Sequence, residues 1–290
     1  MEKLIYRYIN WNDKGSKRLL SENELYFYSA EKWRKDGEYQ FELIDFTEKA
    51  VFNIVLDIAI EMHNTSFPEY EFWMNFHAQK YGINLDKLTP IELDLADQHF
   101  AKQIARERTS NPKNFIEVQK QLYFDRTGIM SFSKSKYSYN LWSSERNISG
   151  DNIICLGIDV EILKKYLEKV PNCFMDEIVY SDELEKYQLI FDKTGYKSLL
   201  QLLNISFTLN TRFRYEEEIR IQRVFFDNSI DSAERKIILP NEIFKEVIIL
   251  KDADNITQSE IFGFAKQKGI SKIQFADILY DDNAVSLSNV

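Results

Sequence analysis

Arg212-Phe213-Arg214-Tyr215-Glu216-Glu217-Glu218-Ile219-Arg220-Ile221-Gln222-Arg223 is heavily charged, yet it reads as a strand. It contains no Gly or Pro and runs into the apolar Val224-Phe225-Phe226. Side chains of an extended chain alternate between faces. Phe213, Tyr215, Glu217, Ile219 and Ile221 would share a mostly apolar face, and Arg214, Glu216, Glu218, Arg220 and Gln222 the other. Two carboxylates two residues apart, bracketed by guanidinium groups, make a rigid constellation. The same pattern suits a solvent-facing ladder of alternating charge on an antiparallel edge. This stretch alone leaves both readings open.

The rest of the 290-residue chain offers ample material for a core. An apolar share of 44% and a charged share of 29% are those of a globular protein. With only 9 Gly and 5 Pro, regular elements are expected rather than long linkers. The net charge of -9 disfavours a general nucleic-acid binder, though not a small basic pocket. Cys155 and Cys173 form neither a metal spacing nor a disulfide framework, and both read as buried. The N-terminal residues lack a signal-peptide core and no run reaches the length of a membrane span, so a cytoplasmic protein is expected.

Leu4 to Ile9 reads as a central strand, apolar on both faces, with Arg7 among buried neighbours. A buried guanidinium needs a carboxylate or an anionic ligand. A core ion pair and a phosphate clamp both meet that need. Asn10 to Ser21 reads as a polar connection, Glu24 to Ser29 as a strand, and Ala30 to Glu38 as a loop. Apolar residues then recur at helical spacing from Val51 to Met62, with further helices expected at 68–81, 90–108 and 112–124. His63, His77 and His99 lie in this block without metal-ligand spacing and read as ordinary surface or core histidines; no metal is expected. Strand character returns at 127–133, where Ser131 and Ser133 share a face with Ile129. A polar and aromatic loop is expected over 134–144, a buried strand at 153–158, a helix capped by Asp159 and a strand at 177–180. A long helix is expected from 181 to 204, and strands and one more helix complete the chain after residue 236. The fold class that follows is α+β in a single domain, with a helical insertion at 47–126.

The residues of several chemistries are missing: there is no P-loop, Gly-x-Gly-x-x-Gly, Gly-x-Ser-x-Gly, His-Glu-x-x-His or Cys-x-x-Cys. What remains is Arg7, then Ser131-Phe132-Ser133, then Glu216-Glu217-Glu218. An ion network fixing strand register is one reading of that order. A nuclease acting through the carboxylates and Arg220 is another.

Leu4-Ile5-Tyr6-Arg7-Tyr8, Leu25 to Ser29, Gly128 to Ser133, Trp142-Ser143, Cys155 to Asp159 and Tyr215 to Arg220 follow one another in a recognisable order. In that order the chain resembles the bacterial family known as domain of unknown function twenty-nine seventy-one. Two details depart from the family's pattern. Ser149-Gly150 stands where a His-x-Gly is common, and Phe213 stands where Trp usually precedes Tyr-Glu-x-Glu.

The order Arg, Ser-x-Ser, Glu-x-Glu more distantly resembles the arginine–serine–glutamate class of ADP-ribosyltransferases. That resemblance implies a mixed, split β-sheet core and cleavage of NAD. Arg7 would bind the NAD phosphates or ribose, and Ser131 and Ser133 would support the cleft floor and the glutamate. Glu218 would hold the nicotinamide ribose and stabilise its oxocarbenium-like transition state, and Glu216 would orient the acceptor. Tyr26, Tyr28 or Tyr137 would stack on nicotinamide. The implied biology is that of a toxin, effector or phage-defence protein with a macromolecular acceptor, protein rather than nucleic acid, and no membrane partner. A non-catalytic ligand- or protein-binding module on the same scaffold is the alternative.

Overall fold

A computed structural model describes residues 3–33, 39–64, 68–84, 87–190, 196–225 and 233–290. The chain divides into two compact units. The first comprises Met1–Glu38, Tyr123–Asp182 and Phe207–Val290, and the second Tyr39–Leu122 with Glu183–Ser206. Most of the stretch expected as an insertion falls in the second unit, which also takes in 39–46 and 183–206. The fold class is α+β with a mixed sheet.

The first unit opens with β1 (Leu4–Asn10), α1 (Lys14–Ser21), β2 (Glu24–Tyr26), β3 (Tyr28–Ser29) and α2 (Ala30–Trp33). The second holds β4 (Phe41–Ile44), α3 (Glu48–Asn64), α4 (Pro68–Tyr81), α5 (Pro90–Ser110) and the larger part of α6 (Pro112–Arg126). Back in the first unit come β5 (Thr127–Ser133), α7 (Tyr139–Ser149), β6 (Ile153–Asp159), α8 (Val160–Leu167), β7 (Cys173–Glu177) and β8 (Val179–Tyr180). β9 (Glu185–Gln188) and α9 (Tyr196–Ser206) return to the second unit. The chain ends in the first with β10 (Thr208–Leu209), a 3₁₀ turn at Thr211–Glu216, β11 (Glu218–Val224), β12 (Lys236–Ile238), β13 (Phe244–Leu250), α10 (Asn255–Gln267), β14 (Lys272–Leu279) and β15 (Ala284–Asn289).

Among the described residues, nine strands of the first unit form one sheet, in the order β15-β14-β13-β6-β1-β5-β11-β7 with β3 added beside β5. α10 crosses between the parallel strands β13 and β14, as parallel pairing requires. One sheet face packs Ile5, Ile9, Met130, Phe132, Ile219 and Ile221 against apolar residues of α1, α8 and α10. The other packs Tyr6, Tyr8, Ile153, Cys155 and Ile248 around Trp142 of α7. β1 is central, as its two apolar faces suggested.

The sheet is nearly divided in its middle. β1 pairs β6 at seven positions and β5 pairs β11 at seven, but β1 and β5 share only Tyr6 with Ser133. Further along the same edge of β5, β3 takes over at Ile129 and Gly128. The result is a mixed sheet with a seam in its middle.

Gly157 on β6 shows how tightly the strands are fitted. A Cβ there would lie 2.5 Å from Cγ of Glu246, a wholly buried carboxylate on the neighbouring β13. Burial pushes the Glu246 carboxyl up, but Lys272, Lys136 and Tyr6 outweigh it and hold it below the ordinary range. The carboxylate cannot swing aside, because Lys136 holds both of its oxygens (3.1 and 3.2 Å) and Lys272 pairs with it as well. Gly157→Ala is therefore expected to lower stability by about 1–3 kcal/mol, the usual range for overpacking. The urea midpoint should fall with the slope unchanged.

Several elements differ from the sequence pattern. Residues 14–21 are helical because the Asp13 carboxylate caps Gly15 and Ser16 (3.2 and 2.9 Å). α7 replaces part of the loop expected over 134–144, with Ser138 capping it and Gly150, at φ 74°, ending it. The helix expected over 181–204 gives way to β9 and the later α9. β9 pairs in parallel with β4, which the sequence did not reveal. In the second unit, Val51 and Val55 of α3 pack on Ala101 and Ala105 of α5. α5 begins with a capping box between Thr89 and Glu92. Cys155 is buried, whereas Cys173 is only half-buried. Among the described residues, no helix is long and apolar enough to cross a membrane.

Candidate functional site

The charged stretch 212–223 is not one strand. Asn210 caps a 3₁₀ turn, its side chain accepting from the Arg212 amide (3.2 Å), while Asp182 holds Asn210 and Thr211 (2.8 and 2.7 Å). The turn runs to Glu216, and Glu217 then adopts left-handed backbone, φ 45° and ψ 48°. Glu216 and Glu218 are therefore not neighbours on one strand face, as alternation had implied. From Glu218 onward the strand is regular and the expected alternation holds. Ile219 and Ile221 enter the core, and Glu218, Arg220 and Gln222 occupy the opposite face.

That polar face is buried rather than solvent-facing: Glu218 and Arg220 are each 2% exposed and Gln222 is 0%. Each polar group is engaged, as burial demands. Arg220 Nε donates to Glu218 Oε1 (2.8 Å) and Nη2 to Oε2 (3.2 Å). Ser131 Oγ, on the adjacent β5, also donates to Glu218 Oε1. Tyr123 Oη donates to Gln222 Oε1 (2.9 Å). The Glu218 amide donates to Tyr180 Oη (2.8 Å). Ser133 fixes the turn before the strand, donating to the Glu216 carbonyl (2.7 Å) and accepting from the Ser135 amide (3.1 Å).

Arg7 reaches this assembly through the seam. By alternation it shares the face of Ile5 and Ile9, opposite Ser131, Ser133 and Glu218. Because β1 leaves β5 after one paired position, the carbonyl of Ser131 accepts from Arg7 Nη1 at 2.8 Å. Burial lowers the pKa of the guanidinium, and Glu145, Tyr28 and Glu218 partly offset that effect.

Arg7, Ser131, Ser133, Glu216 and Glu218 together line one cleft of about 200 Å³. Tyr6 and Tyr8 of β1, Phe132 of β5 and Leu141, Ser144 and Glu145 of α7 complete it. Tyr26 and Tyr28 do not line it. They pack edge to face, 4.9 Å between ring centroids, around a separate cavity of about 10 Å³ that Arg7 also borders. That space holds a water at most. Tyr137 is exposed and carries Lys136 over its ring at 5.5 Å.

The sequence pattern missed the α7 residues. Trp142, wholly buried, anchors the helix: its indole donates to the Lys136 carbonyl (2.9 Å) and it meets the Tyr8 ring edge-on. Leu141, Ser144 and Glu145 then fall on one helical face at spacings of three and four. Ser138 and Gly150 are the cap signals that could have revealed this helix. Burial raises the Glu145 carboxyl above its ordinary range, only partly offset by Arg7. Glu145 makes no hydrogen bond or ion pair among the described residues.

His99 is exposed, and the side chains of His63 and His77 lie outside those described. Among the described residues, no group of three or more His, Cys, Asp or Glu side chains could hold a metal ion. No protein-family model, curated protein or solved structure matches the chain.

Proposed function

We propose that the cleft binds NAD and cleaves its nicotinamide–ribose bond, passing ADP-ribose to water or to a macromolecular acceptor. The observation that carries this reading is that Arg7, Ser131, Ser133, Glu216 and Glu218, far apart in sequence, line a single cleft. A volume of about 200 Å³ is below the roughly 300–1,000 Å³ of pockets that enclose a whole drug-sized ligand. It suits one end of a dinucleotide, the nicotinamide and its ribose.

Cleavage builds positive charge on the ribose as nicotinamide leaves with the electron pair of the C1′–N bond. A carboxylate held by Ser131 and Arg220 is already oriented and needs no reorganisation to meet that charge. Arg7, a planar donor held at the seam, suits the adjoining phosphate. An acceptor oxygen or nitrogen completes the exchange at C1′.

One observation favours the alternative of a binding module. Arg220 sits against Glu218 and neutralises part of its charge, as a purely structural pair would. Calorimetry and nicotinamide release separate the two. Wild type should bind NAD and release nicotinamide, and Arg7→Ala should weaken binding at least about tenfold, the loss expected of a hydrogen bond to a charged group. Absence of both binding and release would leave the constellation as architecture.

A further inference from the structure

We propose that Glu145 is the general base of this cleft, taking the proton from the nucleophile that attacks the ribose. The inference rests on the NAD-cleaving reading and adds a catalytic residue that the Arg, Ser-x-Ser, Glu-x-Glu order does not contain.

Glu145 and Glu218, two of the carboxylates lining the cleft, sit in opposite surroundings. A group that must accept a proton works best when no strong donor already occupies it and when its pKa lies near the working pH. Glu218 is the opposite: Ser131 and both arms of the Arg220 fork donate to it. Those donors suit a fixed anion and occupy the oxygens that a base would need open to an incoming proton. Glu145 lines the same cleft from α7, is half-buried, and has no hydrogen-bond donor among the described residues. Burial raises its carboxyl, so the two environments separate the pair into acid–base group and electrostatic stabiliser.

Charged and titratable groups lie on each of the elements packed against α7. β1 presents Arg7, Tyr6 and Tyr8, and the 3₁₀ turn, which also carries Arg212 and Arg214, presents Glu216, while Glu218 faces the cleft from β11. On β6, Cys155 lies by Tyr8 and Asp159 pairs with Lys245 at 3.7 Å. On β14, Lys272 pairs with Glu246 and Asp277 with Lys251 (2.8 Å). Arg7 is the charge that acts on Glu145.

The step balances. The C1′–N bond breaks and its electron pair leaves on nicotinamide. An acceptor O–H or N–H forms the new bond to C1′, and its proton passes to the Glu145 carboxylate and then to solvent. With water as acceptor the products are ADP-ribose, nicotinamide and a proton.

The test is NAD hydrolysis by the purified full chain across pH 5 to 9, with Glu145→Gln, Glu145→Asp and Glu218→Gln beside wild type. Wild type should gain about tenfold per pH unit up to the raised Glu145 pKa, since the base must be ionised. Glu145→Gln should be slower by about 10²–10³-fold and lose that limb. Glu145→Asp should keep the limb at intermediate rate. Azide, a nucleophile that carries no proton to remove, should restore turnover to Glu145→Gln but not to Glu218→Gln. That rescue also shows the variant to be folded. Equal rates and equal pH profiles for wild type and Glu145→Gln would overturn the role of Glu145 and leave NAD cleavage standing. No cleavage by wild type would overturn both.

Discussion

Arg220→Met is expected to destabilise the fold by about 3–5 kcal/mol, the cost of leaving one partner of a buried ion pair uncompensated. The expectation follows from 2% exposure of both partners and from the forked geometry of the contact. The Glu218 carboxylate would keep the Ser131 hydroxyl but lose the guanidinium that donates to both of its oxygens. Urea denaturation at neutral pH measures the loss. A double variant, Arg220→Met with Glu218→Leu, should recover most of it, because buried pairs replaced by apolar groups of similar volume often fold as well as the original. A single variant as stable as wild type would mean that water, not Arg220, compensates Glu218.

The second large effect is on chemistry. Glu218→Gln is expected to slow nicotinamide release by about 10²–10³-fold, the range seen when one preorganised electrostatic contact is removed. The loss should appear in kcat with KM little changed, since the ribose carries its positive charge only in the transition state. Gln also turns an amide N–H₂ toward the Arg220 donors, so the variant should be assayed well below its own unfolding midpoint. An equal fall in kcat/KM carried wholly by KM would instead make Glu218 a binding group, and the cleft a receptor.

Much of this arrangement is legible in the sequence. Alternation placed Ile219 and Ile221 inward and Glu218, Arg220 and Gln222 together, and the two apolar faces of Leu4 to Ile9 made that strand central. The same rule failed for Glu216, because alternation presumes an extended chain. Asn210 and Thr211 are residues that cap turns, and they end the extended segment before Glu218. Burial of the polar face could not be read from its composition, because charge pattern does not reveal what covers a strand. Tyr26 and Tyr28 were candidates on aromatic character alone, which says nothing about the side of a sheet on which a ring will lie. Glu145 escaped notice because the apolar residues of its helix are few. Ser138 and Gly150, at its two ends, are the signals that mark it.

The seam between β1 and β5 has a thermodynamic consequence. The two halves of the sheet pair at one position, and the hydrogen bonds from Arg7 to the Ser131 carbonyl and from Tyr8 Oη to the Ser135 carbonyl (3.0 Å) also cross between them. Arg7 belongs to one half; Ser131, Ser133 and Glu218 belong to the other. A molecule held by Arg7 at one end and by Glu218 at the other acts as a cross-link between the halves. It binds only the folded arrangement, so its free energy adds to that of folding by mass action. Occupancy and melting temperature then rise together. Without such a molecule, the only free energy holding the halves together is that of the chain itself.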